Sequence, residues 1–226
     1  MAITYTDTSD STQPLESRYN SLAQERELYL ERARDCSELT IPTLIPQDGY
    51  TGAEEFETTY QGIGARGVNN LASKLLLSLL PPNAPFFRLA IDNFAVREIE
   101  EDENLRTQID SGLVQIEKAV MDDIEMSNDR VAVFEALKHL IVGGNALLFV
   151  SKEGLRVFPL SQYVLERDPM GNVLEIITKE SIAYSALPED IRIAIQSQQG
   201  EKKESDVCDL YTCVKREKNK FSVMQE

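Results

Sequence analysis

Three glycines, Gly62, Gly64 and Gly67, have the spacing that most directly suggests chemistry in this sequence. They form a G-x-G-x-x-G pattern that leads into an apolar helix, and Asp92 follows a short predicted strand. In dinucleotide-binding proteins, this pattern brings a pyrophosphate close to the backbone N–H groups at a helix N-terminus. The pattern therefore raises the hypothesis of a nucleotide-binding enzyme built on residues 62–67 (GIGARG).

The residues before these glycines argue against that hypothesis. A dinucleotide site needs a buried parallel strand, rich in Val, Ile and Leu, that leads into the first glycine. Residues 54–61 (EEFETTYQ) instead contain three carboxylates and two threonines, which would repel a phosphate and cannot be buried on both faces of a strand. We therefore interpret the glycines as small residues that let a helix begin close to another backbone segment. We predict no cofactor-binding residues.

The sequence also lacks the usual combinations for nucleophilic catalysis. Its single histidine, His139, lies in residues 131–142 (VAVFEALKHLIV), a predicted helix. We predict a place on the helix surface, because a general base needs an orienting partner and a nucleophile within reach. Neither a P-loop nor a nucleophile elbow is present in the sequence. We predict no catalytic residues.

Acidic and cysteine residues could in principle bind metal. Residues 98–103 (EIEEDE) and the pair Asp122 and Asp123 lack the ordered spacing of a metal loop, and we expect them on a solvated face. The cysteines are odd in number and have no metal-type spacing, which predicts reduced thiols in a cytosolic setting. We predict no metal ligands among them: Cys36, Cys208 and Cys213.

The charge of the chain limits the possible partners. Its 226 residues carry a net charge of −15, whereas a domain that grips nucleic acid carries a basic patch. Such a surface would let DNA pass without adhering. No run reaches about 18 apolar residues, the minimum for a transmembrane helix, so we expect no membrane partner. Residues 1–13 have no basic or apolar signal-peptide region, and we expect a disordered lead-in.

Apolar residues repeat at steps of three and four along four predicted helices. The first begins near Pro14 and the second near Gly62. The third covers residues 95–125 with a break around 100–104, and the fourth covers residues 131–142, before Gly143 and Gly144. The stripe of the first helix consists of Leu15, Tyr19, Leu22, Arg26, Tyr29, Ala33 and Cys36. The residues expected in the core are Leu75, Leu76, Leu79, Phe134, Leu137 and Ile141.

Short segments with strand character dominate the second part of the sequence. Predicted strands cover residues 86–91, 146–150, 155–158, 163–167 and 173–178, and a final hairpin covers 206–215 and 220–224, with a further helix at 181–199. The sequence thus predicts an α+β fold, with long N-terminal helices followed by a small antiparallel β meander. The expected divisions are a lead-in over 1–13, a helical region over 14–145 and a β-rich region over 146–226.

Four long blocks resemble, in the same order, the head-to-tail connector (portal) proteins of short-tailed, podovirus-type bacteriophages. Together they cover most of the chain from about residue 18 onward. Blocks of this length are far more specific than the short glycine pattern. They are residues 33–46 (ARDCSELTIPTLIP), 62–82 (GIGARGVNNLASKLLLSLLPP), 133–150 (VFEALKHLIVGGNALLFV) and 158–192, which begins FPLSQYVLERDPMGNVLEI.

The resemblance implies a structural component of a portal ring, with about twelve copies at one capsid vertex. Double-stranded DNA would be packaged and ejected through the ring without sequence-specific binding, and the tail would attach to it. Implied partners are a separate terminase packaging motor and the scaffolding, major capsid and tail adaptor proteins. The implied location is the virion, after assembly in the host cytoplasm, and the family has no catalytic residues to transfer.

Family members continue beyond the region that this chain resembles. The chain corresponds to their N-terminal part, mostly the outer wing, and the stem helices, clip and crown would lie downstream. A truncated product, a split gene and a natural short form are all open, as is channel formation by this chain alone. Two other functions also stay open: the nucleotide-binding enzyme, and a helical adaptor that binds through the stripe of the first helix.

Overall fold

The computed structural model describes residues 3–5, 14–47, 50, 56, 59–82, 84–90, 103–152, 154–187, 189, 191–192, 206–217 and 220–226. The helices are α1 (Leu15–Glu38), α2 (Ile63–Leu79), α3 (Glu103–Met126) and α4 (Asp129–Gly143). The strands are β1 (Ile3–Tyr5), β2 (Leu147–Ser151), β3 (Gly154–Phe158), β4 (Tyr163–Arg167), β5 (Val173–Ala183), β6 (Val207–Glu217) and β7 (Lys220–Gln225). The predicted α+β class, with helices before a β meander, is confirmed.

The chain forms two compact units. The first combines Met1–Arg32 with Pro159–Glu226, and the second is Ala33–Phe158. The expected regions 14–145 and 146–226 separate mostly helical sequence from sequence with mostly strand character. The compact units differ from them, because most of α1 packs with the C-terminal strands and the β2–β3 hairpin packs with α4.

The first unit is built on a five-stranded sheet with the order β1-β7-β6-β5-β4. Its strands are antiparallel except for β1, which runs parallel to β7 and pairs Thr4 with Ser222. The expected lead-in over residues 1–13 therefore contains a strand, because an open sheet edge offers backbone groups for pairing. One face of α1 covers the sheet in a cluster of Leu15, Tyr19, Leu22, Val164, Ile177, Tyr211 and Cys213.

In the C-terminal half of α1, the buried residues differ from those of the predicted stripe. Leu30 is 3% exposed and Ser37 is fully buried, whereas their predicted counterparts Tyr29 and Cys36 are exposed. A strict seven-residue repeat lags behind a helix of 3.6 residues per turn by about 20° per heptad. After two heptads this lag is about 40°, in the direction that moves the inward position further along the chain.

The second unit is organised around α4, which packs against α2, β3 and α3. The second and fourth helices, α2 and α4, are in contact, but the expected core is largely wrong. Leu137 is buried, whereas Leu79 is 54% exposed and the other four expected residues are half-buried. The closest packing of α2 instead uses smaller side chains, at Val68 and Ala72.

Two other predicted elements differ from the structure. Residues 84–90 contain no strand, and Ile91 lies outside the described residues. The helix predicted from residue 181 is replaced by strand through Ala183, because Ser181–Ala183 continue the pairing of β5 with β6. A 3₁₀ turn, Tyr184–Ala186, follows. Glu189, Ile191 and Arg192 are helical, as predicted, and residues 193–199 lie outside the description.

Candidate functional site

The glycine pattern lies inside a helix rather than in a phosphate-binding loop. Residues 59–62 form no strand, and α2 begins at Ile63, so Gly64 and Gly67 are helical residues. A Cβ built on Gly64 would lie 2.7 Å from the carbonyl oxygen of Leu39 and 3.1 Å from Cγ2 of Thr40. A Cβ on Gly67 would meet nothing within 4 Å. Close backbone approach therefore explains Gly64 and does not explain Gly67.

His139 is buried, so its predicted place on the helix surface is wrong. The residue is 3% exposed, because α4 is packed by α2, α3 and β3. Its Nε2 lies 3.9 Å from the Glu135 carboxylate, and its Nδ1 has no hydrogen-bond partner in the described structure. Burial lowers the pKa of His139 below its ordinary value of 6.5, so the imidazole is neutral near pH 7. A buried ring without an orienting bond is a poor general base.

The described candidate metal ligands form no metal site. Asp122 and Asp123 are exposed on α3, and residues 98–102 lie outside the description. Across the described ranges, no group of three or more His, Cys, Asp or Glu residues could hold a metal ion. Cys36, Cys208 and Cys213, all within the described residues, form no disulfide. Of the helices the structure describes, none is long and apolar enough to span a bilayer.

The strongest polar cluster joins α1 to the sheet of the first unit. Arg18 donates hydrogen bonds to the carboxylates of Glu166 and Glu175, the latter at 3.0 Å. Glu175 is buried at 6% exposure and also accepts a hydrogen bond from the Cys213 thiol at 3.4 Å. Burial and the nearby Glu175 raise the pKa of Cys213 to about 12. No local sequence pattern indicates this cluster, because its members lie on four separate elements.

Other polar contacts near the cluster also attach α1 to the sheet. The Arg26 guanidinium donates to the carbonyls of Leu160 and Tyr163, and the Tyr19 hydroxyl donates to the Ser161 carbonyl at 3.1 Å. Buried charged groups need such partners, since an unpaired one is costly. These contacts explain why Arg26 interrupts the apolar stripe, and they assign it a structural role.

The second unit has comparable polar contacts around α4. Arg130 donates to the carbonyls of Leu80 and Pro81, at 2.8 and 3.1 Å, just beyond the end of α2. The Asp129 carboxylate accepts a hydrogen bond from the backbone of Leu155 at 2.8 Å. A nearby cleft of about 520 Å³ has mostly apolar walls, and Asp129 at its edge is already bonded. These polar groups hold helices and strands in place, and they do not form a set of side chains that could carry out a reaction.

Exposed apolar side chains mark two surfaces of the second unit. On β2, Leu148, Phe149 and Val150 are 44%, 54% and 75% exposed. Among the described strands, β2 pairs with β3 alone and lies at the edge of the hairpin. On α3, the exposed apolar residues include Val114, Ile116 and Val120. Clusters of exposed apolar side chains are typical of interaction sites.

Known proteins that are similar to this chain are named as connecting or portal proteins of bacteriophages. A family model described as "Bacteriophage head to tail connecting protein" matches residues 12–225. The chain is 42% identical to the portal protein of Escherichia phage T7 over 202 residues, which is 87% of this chain and 38% of that protein. It is 32% identical to the portal protein of Enterobacteria phage SP6, over 86% of this chain and 38% of that protein. The chain therefore spans less than two fifths of the length of these relatives.

Proposed function

Because this chain belongs to the family of bacteriophage head to tail connecting proteins, we propose that it is a structural part of a phage portal ring, at the junction of head and tail. The observation that carries the proposal is the extent of the family match. It covers residues 12–225 and therefore includes most of both compact units. The relatives bear the name portal protein, and we extend that role to this chain.

The internal organisation of the chain supports a structural role. Its buried polar groups, such as Arg18 with Glu175 and Arg130 with the Leu80 carbonyl, fix one element on another. The reactive residue types are separated or already bonded in the described ranges.

The charge supports the proposed relation to DNA. A net charge of −15 repels phosphates, and tight DNA binding needs several Lys and Arg side chains that displace counterions. We propose that double-stranded DNA passes the ring during packaging and ejection without sequence-specific binding. From the family resemblance, we propose a ring of about twelve copies; a closed ring of identical subunits has cyclic symmetry.

The proposed partners follow from the same role. They are a terminase packaging motor, scaffolding protein, major capsid protein and a tail adaptor protein. The proposed location is the portal vertex of the virion, after assembly in the host cytoplasm. We propose no enzymatic activity for the chain.

The alternative functions lose support from the geometry. The adaptor hypothesis needs the stripe of α1 to be available, but Leu15, Tyr19 and Leu22 lie in the core of the first unit. The nucleotide hypothesis needs a strand before Gly62, and residues 59–62 form none.

The test is assembly of the polypeptide at its natural length. Electron microscopy and native mass measurement should show closed rings, and sedimentation at several salt concentrations should show tighter association as moderate salt screens the like charges. Addition of millimolar NAD or ATP should leave the melting temperature unchanged, because a ligand stabilises only a protein that binds it. A strict monomer that binds double-stranded DNA tightly at physiological salt would contradict the proposal.

A further inference from the structure

The β2–β3 hairpin, Leu147–Phe158, exposes apolar side chains along β2, which is an edge strand among the described residues. Edge strands in soluble proteins are commonly guarded by charged residues or proline. The five residues of β2 (LLFVS) contain neither. Val150 is 75% exposed, and Phe149 is 54% exposed beside its cross-strand partner Arg156.

The charge of the hairpin is opposite to that of the chain. Its sequence contains two basic residues, Lys152 and Arg156, and one acidic residue, Glu153, which gives a net charge of +1 in a chain of net −15. Both basic side chains are exposed. The hairpin is therefore complementary, in apolar character and in charge, to an apolar surface surrounded by carboxylates.

We propose that the β2–β3 hairpin docks on an acidic surface of a second copy of this chain, as the contact between neighbouring subunits. The proposal rests on the proposed portal function and locates the contact within it. A closed ring needs a heterologous interface, in which two different surfaces meet. Every copy presents a cationic apolar hairpin and carries a large excess of acidic residues elsewhere, so each copy can act as both donor and acceptor of the contact.

DNA is a poorer occupant of the same surface. Phosphate binding depends on many cations, and the hairpin has two. Three exposed apolar side chains on β2 would gain nothing from a phosphate backbone. A neighbouring copy buries those side chains and also approaches the cations with its carboxylates.

Substitutions of opposite charge at Val150 test the proposal in the natural-length polypeptide. Val150→Glu places a carboxylate against an acidic neighbour, whereas Val150→Lys keeps the favourable charge. We expect at least a tenfold weaker association constant, by sedimentation, for Val150→Glu than for Val150→Lys. The matched control is Leu28→Glu, since Leu28 is 72% exposed on α1 and should change association little. Equal effects of the two Val150 variants, or no effect of either, would overturn the proposal.

Photocross-linking identifies the occupant directly. A benzoylphenylalanine at position 149 in rings mixed from ¹⁴N and ¹⁵N copies should cross-link to residues outside β2 of the other isotopic copy. Cross-links confined to one copy, or from β2 to β2, would overturn the proposal. Rings that form without any cross-link from position 149 would refute this contact and leave the portal function standing. Failure to form rings under any condition would refute both, and a cross-link to added DNA would favour the nucleic-acid alternative.

Discussion

Gly64 and Leu39 approach each other so closely that a Cβ on Gly64 would lie 2.7 Å from the Leu39 carbonyl oxygen. This separation is shorter than real Cβ atoms tolerate, so the glycine sets how near α2 can come to the end of α1. The pattern G-x-G-x-x-G therefore combines one sterically required glycine with Gly67, which faces open space.

Alanine substitutions should separate these two glycines. Gly64→Ala should lower the free energy of unfolding by about 1–3 kcal/mol, the usual cost of overpacking. Gly67→Ala should raise it by up to about 1 kcal/mol, because alanine is the better helix former. Urea unfolding measures both changes. Equal destabilisation by both substitutions, or saturable NAD binding abolished by Gly67→Ala, would contradict this assignment.

Removal of the Arg18 guanidinium should weaken the first unit. Arg18→Met leaves the buried Glu175 carboxylate without its cation, and we expect a loss of about 1.5–3 kcal/mol, as for hydrogen bonds to charged groups. Lys179→Met is the matched control, since Lys179 pairs with Asp209 at 2.9 Å in a more exposed position. That change should cost about 0–1 kcal/mol. Comparable losses from both variants in denaturant unfolding would argue against the buried pair.

The buried His139 should make stability depend on pH. Its pKa is lowered by burial, so the unfolded chain binds a proton more readily than the folded chain. Stability should therefore be fully present above the unfolded pKa of about 6.5 and decline as the pH falls below it. His139→Gln should remove that part of the decline between about pH 7.5 and pH 5 in urea unfolding. Parallel pH profiles for the two proteins would show that His139 does not contribute.

The three thiols should differ in reactivity. Cys213 is fully buried and its pKa is raised to about 12, chiefly by burial, whereas Cys36 is exposed. Because the thiolate is the reactive form, a maleimide should modify Cys36 first and Cys213 only after unfolding. Mass spectrometry over time would show loss of the fast reaction in Cys36→Ser and its retention in Cys213→Ser. Early labelling of Cys213 would mean that α1 separates readily from the sheet.

Local patterns in the sequence predicted the order of elements well. The hairpin strands 206–215 and 220–224 were placed correctly, since alternation and a turn between them are properties of neighbouring residues. Side-chain environments were harder to predict. His139 is buried because three elements pack around α4, and Ser181 is in a strand because Asp209 of β6 pairs with it. Both outcomes depend on residues distant in the sequence.

Dependence on residues distant in the sequence also explains why the polar cluster of Arg18, Glu166 and Glu175 is not evident from local patterns. Arg18 is next to the apolar stripe in the sequence of α1, and its partners Glu166 and Glu175 lie on β4 and β5. No spacing rule connects residues more than a hundred positions apart. The prediction of no catalytic residues rests on residue types, whereas the surfaces on β2 and α3 are evident only from exposure in the structure.

The order in which the segments of the two units occur along the chain has a consequence for folding during synthesis on the ribosome. The second unit is one continuous segment, Ala33–Phe158, whereas the first combines Met1–Arg32 with strands that begin after it. Leu15 donates its backbone N–H to the side chain of Glu226 at 2.5 Å, so this contact at the start of α1 forms only after β7 has been synthesised. Since domains form as they emerge during translation, the second unit can fold first, while the apolar face of α1 stays uncovered until β4 to β7 leave the exit tunnel. That interval is when a chaperone would be needed most.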